Sequence, residues 1–247
     1  MKLRLDKLLV ERGLVPSRER AQALILAGKV LVNEQKVEKS GVPVDADVAV
    51  RLLGEDLRYV SRGGLKLEKA LEHWQIDVTG RACLDVGAST GGFTDCLLRH
   101  GAARVIAVDT GYGQMDFGLR QDARVRLLEK TNARYLTHEL LAEHVSFIAM
   151  DVAFISATLV LPAVVAAAFS ETRHGSCALV VLVKPQFEVG RREVGKGGIV
   201  RDEEAQRHAV ERVRERVREL GGSEIDAIHS PILGTEGNRE FLLYAKF

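Results

Sequence analysis

Residues 82–94 read ACLDVGASTGGFT, where a short apolar run leads into a turn of glycines and hydroxyl side chains. The run predicts a buried strand, and the glycines allow the backbone of the turn to approach a ligand closely. In an open α/β sheet, small molecules bind in the crevice beyond such strand ends. Because the turn matches neither the GxGxxG dinucleotide motif nor the GxxxxGKS or GxxxxGKT triphosphate motif, it predicts a site for another kind of small molecule.

Acidic residues at the ends of two successive predicted strands indicate which molecule binds. Asp85 lies in the first strand, and Asp109 closes the second strand 22 residues after Gly87 (109 − 87). A carboxylate at Asp109 is placed to accept hydrogen bonds from ribose hydroxyls, and Asp85 to hold the amino-acid part of S-adenosyl-L-methionine. A single glycine is better explained by a close strand-to-helix turn, and each aspartate can be a helix cap, but together these residues favour this cofactor. The predicted cofactor-binding residues are Asp85, Gly87, Ser89, Thr90, Gly91, Gly92, Phe93, Thr94, Asp109, Asn132 and Asp151.

From residue 82 onward, short apolar runs alternate with helical patterns. This alternation predicts an α/β protein with a mostly parallel sheet covered by helices on both faces. The predicted strands are 82–87, 104–109, 125–130, 145–151 and 176–184, and the predicted helices are 65–74, 91–100, 156–169 and 202–220. Two last strands, 224–229 and 240–247, are predicted to form an antiparallel edge of the sheet.

The first 39 residues carry nine Lys or Arg and five acids, a net charge of +4, whereas the whole chain of 247 residues has a charge of +1. The spacing of Leu5, Leu8 and Leu9 predicts a short helix, and Ser17 is placed to cap a second helix that Gly28 ends. A hairpin and further short strands complete a small α+β domain. At about 150 residues per domain, the length allows one large domain or two unequal ones, and the uneven charge indicates a boundary. We predict a first domain at 1–56, a linker at 57–64 and a second domain at 65–247.

Composition disfavours several other classes of protein. With 46% hydrophobic and 28% charged residues, the chain predicts a folded core rather than disorder. Its three cysteines form no CxxC pair that can hold zinc, which predicts no metal and a reducing cytoplasm as the compartment. The longest apolar stretch, 158–169, is shorter than the ~20 residues that cross a bilayer, so no membrane insertion is expected. Charged residues within the first 12 positions interrupt any signal-peptide core.

Six segments along the chain carry a family resemblance: SRGGLKL, LDVGASTGGFTDCLL, AVDTGYGQ, MDVAFIS, VKPQFEVG and GNREFLLY. In this order, and over nearly the whole chain, they resemble the TlyA family of ribosomal RNA 2′-O-methyltransferases, sometimes labelled hemolysin A. The resemblance implies a Rossmann-like class I methyltransferase fold with a mostly parallel seven-stranded sheet, similar to FtsJ-type enzymes. Residues 4–33 resemble the small RNA-binding module of ribosomal small-subunit protein S-four.

The resemblance also implies a catalytic tetrad of two lysines, an aspartate and a glutamate. Matched motif by motif, its members are Lys66, Asp151, Lys184 and Glu240. Asp151 and Lys184 also stand at the ends of apolar predicted strands, although a solvated lysine is the other interpretation of Lys184. Lys66 and Glu240 rest mainly on the resemblance, because spacing alone does not separate them from Lys69 and Glu236.

The chemistry of a ribose 2′-hydroxyl explains why such residues are needed. This hydroxyl is a poor nucleophile until its proton is removed or strongly hydrogen-bonded. A lysine accepts a proton only as the free amine, which burial or a neighbouring cation favours. Lys66 would be that cation for Lys184, and Asp151 would orient the Lys184 ammonium group. Alternatively, much of the acceleration comes from holding donor and acceptor in line.

Basic residues predict contacts with RNA phosphates, although an ordinary solvated surface is the alternative. The first domain would present several of them on its two helices. The predicted RNA-binding residues are Arg4, Lys7, Arg18, Arg20, Lys29, Arg58, Arg62, Arg191, Arg192 and Lys196. The glycine-rich segment 190–201 is predicted to be a gate over the target nucleotide, with a disordered loop as the alternative. Phe187 is placed either to stack on an extruded base or to pack in the core.

Taken with the resemblance, these features predict an S-adenosyl-L-methionine-dependent rRNA (cytidine-2′-O)-methyltransferase. The short ends of the chain resemble the shorter branch of the family, so a large-subunit cytidine is expected and a small-subunit one is possible. Two other classes remain open. A membrane-damaging hemolysin is disfavoured by the absence of a membrane span in the sequence. A non-RNA enzyme such as an NAD-dependent oxidoreductase is disfavoured by the absence of GxGxxG and by the RNA-binding module.

Overall fold

The computed structural model describes residues 2–15, 17–53, 58–169, 177–190, 193–234 and 237–247. Its contacts divide the chain into two compact units, residues 1–58 and 59–247. The first unit is a small α+β fold, and the second is an α/β fold built on one large sheet.

In its described residues, the first unit consists of two helices and five short strands. They are β1 (Lys2–Arg4), α1 (Leu5–Glu11), α2 (Arg18–Leu26), β2 (Val30–Val32), β3 (Gln35–Lys36), β4 (Pro43–Asp45) and β5 (Val50–Leu52). Ser17 caps α2 by accepting a hydrogen bond from the Arg20 N–H at 3.2 Å, as predicted. The predicted hairpin is also confirmed, because Asn33 and Glu34 turn between β2 and β3 with φ of 50° and 63°.

A buried carboxylate holds the elements of the first unit together. Asp6 on α1 is fully buried and accepts hydrogen bonds from Arg4, Arg18 and Gln22 at 2.9 to 3.0 Å. Chiefly because of the hydrogen bonds from Arg4, the pKa of Asp6 lies well below its usual range. Arg4 belongs to strand β1 and not to the predicted first helix, which begins at Leu5.

The second unit is built on a seven-stranded sheet of order β11-β12-β10-β9-β6-β7-β8. Strand β12 runs antiparallel to β10 and β11, whereas β10, β9, β6, β7 and β8 are parallel to one another, which confirms the predicted sheet and its antiparallel final pair. The strands are β6 (Ala82–Val86), β7 (Arg104–Val108), β8 (Val125–Leu128), β9 (Phe147–Met150), β10 (Ala178–Val183), β11 (Ser223–His229) and β12 (Phe241–Lys246).

Helices cover both faces of this sheet. They are α3 (Gly63–His73), α4 (Gly92–Arg99), α5 (Phe117–Gln121), α6 (His138–Leu141), α7 (Ala157–Phe169), α8 (Pro185–Glu188) and α9 (Glu203–Glu219). Helices α3 and α4 pack on one face, and α7 and α9 on the other. Cys83 and Leu84 of β6 enter the two opposite cores, because successive side chains of a strand alternate in direction. Within the described ranges, no helix has the length and apolar character needed to span a membrane.

The order of the strands creates a crevice at the carboxyl end of β6. The connection after β6 leads to β7 on one side, and the connection after the neighbouring strand β9 leads to β10 on the other side. Ligands of open α/β sheets bind at such a switch point. Gly87 follows β6 and Asp151 follows β9, so two residues predicted for the site meet at this crevice.

We expect Asp6→Asn to destabilise the first unit by about 1–2 kcal/mol, because two partly exposed guanidinium groups lose a charged acceptor. Hydrogen exchange of the α1 and α2 amides, followed by mass spectrometry, measures this local free energy of opening. Asp47→Asn changes an exposed acid of the same unit and serves as the matched control. Unchanged protection of both helices in Asp6→Asn would contradict the assigned role of Asp6.

Candidate active site

The glycine turn after β6 forms the floor of the site. Gly87 has a φ of +86°, and a Cβ at this position would lie only 2.3 Å from the backbone oxygen of Asp151. Any side chain there would force apart β6 and β9, which are joined by the hydrogen bond from Asp151 N to Val86 O at 2.9 Å. Gly92, at the start of α4, packs closely against Ser61, whose Oγ would lie 2.2 Å from an added Cβ. Close packing therefore requires glycine at both positions.

Two adjoining cavities open along this turn. The larger, of about 470 Å³, lies against the ends of β6, β7 and β9, and the smaller, of about 220 Å³, lies against the starts of α3 and α4. Gly87, Ser89 and Asp151 stand in the walls of both cavities. The larger volume falls within the range of roughly 300–1,000 Å³ that is typical of small-molecule sites.

Most of the predicted cofactor-binding residues line these cavities. Those in the walls are Gly87, Ser89, Thr90, Gly92, Phe93, Asp109, Asn132 and Asp151. Asp85, Gly91 and Thr94 lie outside the walls. Asp85 is fully buried, accepts a hydrogen bond from Thr94 Oγ1 at 2.6 Å, and has no partner for its Oδ1 among the residues described. It lies behind the turn and not at the surface that a ligand would touch.

Backbone donors fix the carboxylate of Asp109 in the wall of the larger cavity. Its Oδ2 accepts a hydrogen bond from Ser89 N at 2.8 Å, and its Oδ1 accepts one from Gly111 N at 2.6 Å. A carboxylate has about four lone-pair sites, so each oxygen can accept another hydrogen bond from a ligand. The cavity therefore fits a ligand that carries neighbouring hydroxyl groups, as a ribose does.

Two lysine–carboxylate pairs lie beside the smaller cavity. Nζ of Lys66 lies 2.5 Å from Oε2 of Glu240, and both side chains are buried. Nζ of Lys184 lies 2.5 Å from Oδ1 of Asp151, in an ion pair that lacks the alignment of a hydrogen bond. Lys66 and Asp151 share the walls of this cavity, and Lys184 and Glu240 adjoin paired residues of β10 and β12. The structure brings these four residues together.

Burial distinguishes Lys66 from its neighbour on the same helix. Lys66 is 8% exposed, whereas Lys69 lies exposed on α3. Glu236, which spacing left as an alternative to Glu240, lies outside the described residues. A Cβ at Gly234 would lie 2.2 Å from Oε1 of Glu240, so this glycine leaves room for the carboxylate.

An exposed phenylalanine forms part of the rim of the larger cavity. Phe154 is 93% exposed, although its φ of +63° is rarely adopted by an aromatic residue. Its ring lies 5.5 Å from that of Phe187, at an angle of 52°. An exposed ring in a strained backbone conformation is a candidate for contact with a flat ligand. Sequence reasoning missed Phe154, because nothing in MDVAFIS signals a positive φ at this position.

The predicted RNA-binding residues of the first unit differ in their contacts. Arg4 and Arg18 are each 45% exposed, and both bind Asp6 at 2.9 Å. The remaining residues are exposed or half-buried: Lys7, Arg20, Lys29 and Arg58. Their binding to RNA stays a prediction.

The second half of the glycine-rich segment 190–201 is tethered by a buried side chain. Asn238 donates a hydrogen bond from Nδ2 to Gly198 O at 2.9 Å and accepts one at Oδ1 from Val200 N at 3.0 Å. Closure of this segment as a gate stays a prediction. Among the basic residues predicted to bind RNA in the second unit, Lys196 is exposed, Arg62 lines the smaller cavity, and Arg191 and Arg192 lie outside the described residues.

The second unit has the Rossmann-like class I methyltransferase fold. Its seven-stranded sheet has a single inserted antiparallel strand, β12, among the described strands, and its cavities lie at the carboxyl edge. The family model for FtsJ-like methyltransferases matches residues 59–247, and the model for the S4 domain matches residues 3–50. The chain therefore belongs to the FtsJ-like methyltransferase family and, within it, to the TlyA proteins that carry an S4 domain.

Individual relatives extend over nearly the whole chain. The 16S/23S rRNA (cytidine-2′-O)-methyltransferase TlyA of Mycobacterium tuberculosis is 45% identical over 98% of this chain and 89% of its own length. Hemolysin A of Brachyspira hyodysenteriae is 40% identical over 98% of this chain and 99% of its own length. A solved structure of a candidate hemolysin from Streptococcus thermophilus is 42% identical, with a TM-score of 0.75, and covers 99% of this chain and 88% of that chain.

Asp85 makes a testable contribution to the pH dependence of stability. Burial raises its pKa to about 7, and the charges of Asp151 and Asp109 act in the same direction, against the hydrogen bond from Thr94. Between its ordinary pKa of 3.8 and the raised pKa of about 7, Asp85 therefore binds more protons in the folded state than in the unfolded state. Stability should fall by a few kcal/mol as pH rises through this window, and Asp85→Asn should lack this contribution. Thermal unfolding of both proteins from pH 5 to pH 8 measures the difference, and parallel curves would contradict the expectation.

Proposed function

We propose that the chain transfers a methyl group from S-adenosyl-L-methionine to the 2′-hydroxyl of a cytidine in ribosomal RNA. The observation that carries this proposal is the meeting of two lysine–carboxylate pairs, Lys66–Glu240 and Lys184–Asp151, beside the adjoining cavities. The mycobacterial relative, a 16S/23S rRNA (cytidine-2′-O)-methyltransferase, supports the substrate class, and its name includes both ribosomal RNAs. Large-subunit RNA is the expected substrate, and small-subunit RNA is the second one to test.

The two cavities offer a place for each part of S-adenosyl-L-methionine. Asp109 would accept hydrogen bonds from the ribose hydroxyls in the larger cavity. In the smaller cavity, Arg62 and the N-terminus of α4 at Gly92 would attract the carboxylate of the amino-acid part. Asp151 stands in the wall between these regions, beside Lys184. When bound, the cofactor supplies an electrophilic methyl group on a charged sulfur.

The residues around Asp151 would bind and orient the nucleophile. Asp151 fixes the ammonium group of Lys184, and Glu240 fixes that of Lys66, so two cationic donors are held at the edge of the smaller cavity. We assign Lys184 to the ribose hydroxyl: after its ammonium group has released one proton to solvent, the neutral amine would accept the hydroxyl proton as the oxygen takes the methyl group. Correct orientation of two reactants contributes ~7–11 kcal/mol in well-aligned systems, so a modest base suffices.

Aromatic residues near the tetrad support a nucleotide substrate. Extrusion of the target nucleotide from its stack, as in enzymes that act on bases, would bring its ribose into a crevice of this kind. The exposed ring of Phe154, which pairs with that of Phe187, would provide a stacking surface for the extruded base. The pair lies on the two segments that follow Asp151 and Lys184, close to the proposed site of methyl transfer.

The first unit would supply further contacts with RNA. The S4 domain model matches it, and the exposed Lys7 and Lys29 lie on or beside its helices. Cys83, Cys96 and Cys177 are buried and form no disulfide bond, which is consistent with a reducing compartment. We therefore propose that the protein acts in the cytoplasm, where ribosomal RNA is assembled.

Transfer of tritium from labelled S-adenosyl-L-methionine to purified ribosomal subunits and to free rRNA tests the proposal. We expect label in RNA, at a cytidine 2′-O position that mass spectrometry of nuclease fragments identifies. Because a relative is named hemolysin A, lysis of red cells is measured in parallel. Lysis or NAD binding without label in any RNA preparation would overturn the proposal.

We expect Lys184→Ala to abolish methyl transfer while the affinity for S-adenosyl-L-methionine, measured by calorimetry, stays nearly unchanged. The reason is that Lys184 contacts Asp151 and lies outside the walls of both cavities. Lys66→Ala should also impair transfer, because it leaves the buried Glu240 without its cationic partner. Lys69→Ala, three positions along α3, is the matched control and should retain activity. Near-normal turnover of Lys184→Ala would remove this residue from the proposed mechanism.

A further inference from the structure

Glu188 is a buried acidic residue for which the proposed chemistry has no direct use. It lies in α8, four residues after Lys184, and it is 3% exposed. Burial raises its pKa, and hydrogen bonds from Ser156 and Ala157 act against this effect. A carboxylate is costly to bury, so its contacts require an explanation.

The carboxylate of Glu188 binds the start of the opposite helix. Its Oε1 accepts a hydrogen bond from Ala157 N at 2.7 Å, and its Oε2 accepts one from Ser156 Oγ at 2.5 Å. Ala157 is the first residue of the 13-residue helix α7, whose first N–H groups have no partner within the helix. Glu188 therefore acts as an N-terminal cap supplied by another segment of the chain.

These contacts connect, at a second point, two chain segments that leave the sheet side by side. One segment runs from Asp151 to Ser156, and the other runs from Lys184 to Glu188. At the sheet they are joined by the Lys184–Asp151 ion pair of 2.5 Å, and at their far ends by Glu188. The ring pair of Phe154 and Phe187 lies between these two connections in sequence.

The second segment is also held from its other side. Nη1 of Arg212, on α9, donates a hydrogen bond to the backbone oxygen of Glu188 at 2.7 Å. Helix α9 thus fixes the backbone of Glu188, and the side chain of Glu188 holds the start of α7. A shift of Glu188 would change the spacing between Lys184 and Asp151.

We infer that Glu188 is a positioning residue, which sets the placement of the Lys184 ammonium group against Asp151 by clamping the two segments together. It acts through other residues and does not touch the reacting atoms. The inference rests on the proposed function for what Lys184 does, but the clamp itself can be tested without any activity.

The test compares Glu188→Gln, Glu188→Asp and Glu188→Ala, with Glu215→Gln as the control at an exposed glutamate of α9. Gln keeps the length of the side chain and can still accept from Ala157 N, with its amide group donating to Ser156 Oγ. Asp keeps the charge but is one methylene shorter. We expect Glu188→Asp and Glu188→Ala to lower kcat by about 10–100-fold, with KM for RNA and affinity for S-adenosyl-L-methionine nearly unchanged. Glu188→Gln should stay close to the wild-type protein, and so should the control.

A second measurement reads the position of Lys184 directly. Acetic anhydride modifies amines, and mass spectrometry gives the rate for each lysine. Labelling of Lys184 should be slow in the wild-type protein and several-fold faster in Glu188→Asp and Glu188→Ala, while the exposed Lys69 reacts equally in all variants. Thermal unfolding establishes that each variant is folded, and Glu188→Asp carries the test if Glu188→Ala is not.

Three results would overturn the inference: unchanged kcat in a folded Glu188→Asp variant, loss of kcat with unchanged labelling of Lys184, or a Glu188→Gln variant as impaired as Glu188→Ala. Absence of methyl transfer by the wild-type protein would instead count against the proposed function. In that case the labelling rates alone still decide whether Glu188 positions Lys184.

Discussion

Ammonium groups can be kept at the end of an apolar sheet only when each has an anionic partner. Strands β9 and β10 are completely buried, yet Asp151 and Lys184 follow them directly. The Lys184–Asp151 and Lys66–Glu240 contacts, both of 2.5 Å, meet this requirement. A charge left unpaired at such a position would cost several kcal/mol. The glycine turn and the two cavities lie around these two pairs. Together the pairs join α3, the ends of β9 and β10, and the start of β12.

Parallel strands explain how residues distant in sequence come together here. All parallel strands end at one edge of the sheet, and the antiparallel β12 begins at that same edge. Residues just after β9 and β10 and just before β12 are therefore neighbours, although Lys66 and Glu240 are 174 positions apart. The short α8 then brings Glu188 back to α7, so the surroundings of the site are closed by contacts between segments and not by one continuous element.

Local patterns in the sequence were sufficient to predict much of the fold. The apolar runs and the glycine turn predicted the strands, because a doubly covered parallel sheet needs strands that are apolar on both faces. The helices α5 and α6, of five and four residues, were missed because they are too short to show a period. Lys66 and Lys69 could not be separated by spacing, because the partner that buries Lys66 comes from the far end of the chain. Likewise, the sequence does not show on which face of β6 the side chain of Asp85 lies. In the structure this side chain points to Thr94 and away from the cavities.

The convergence of Arg4 and Arg18 on Asp6 has a consequence for any polyanion that the first unit binds. Cations that meet a nucleic acid release condensed counterions, and the number released sets the slope of affinity against salt concentration. Arg4 and Arg18 already share an internal anion, so each displaces fewer counterions than Lys7 or Lys29. The salt dependence of such binding therefore reports effective charges, and its slope is shallower than a simple count of basic side chains implies.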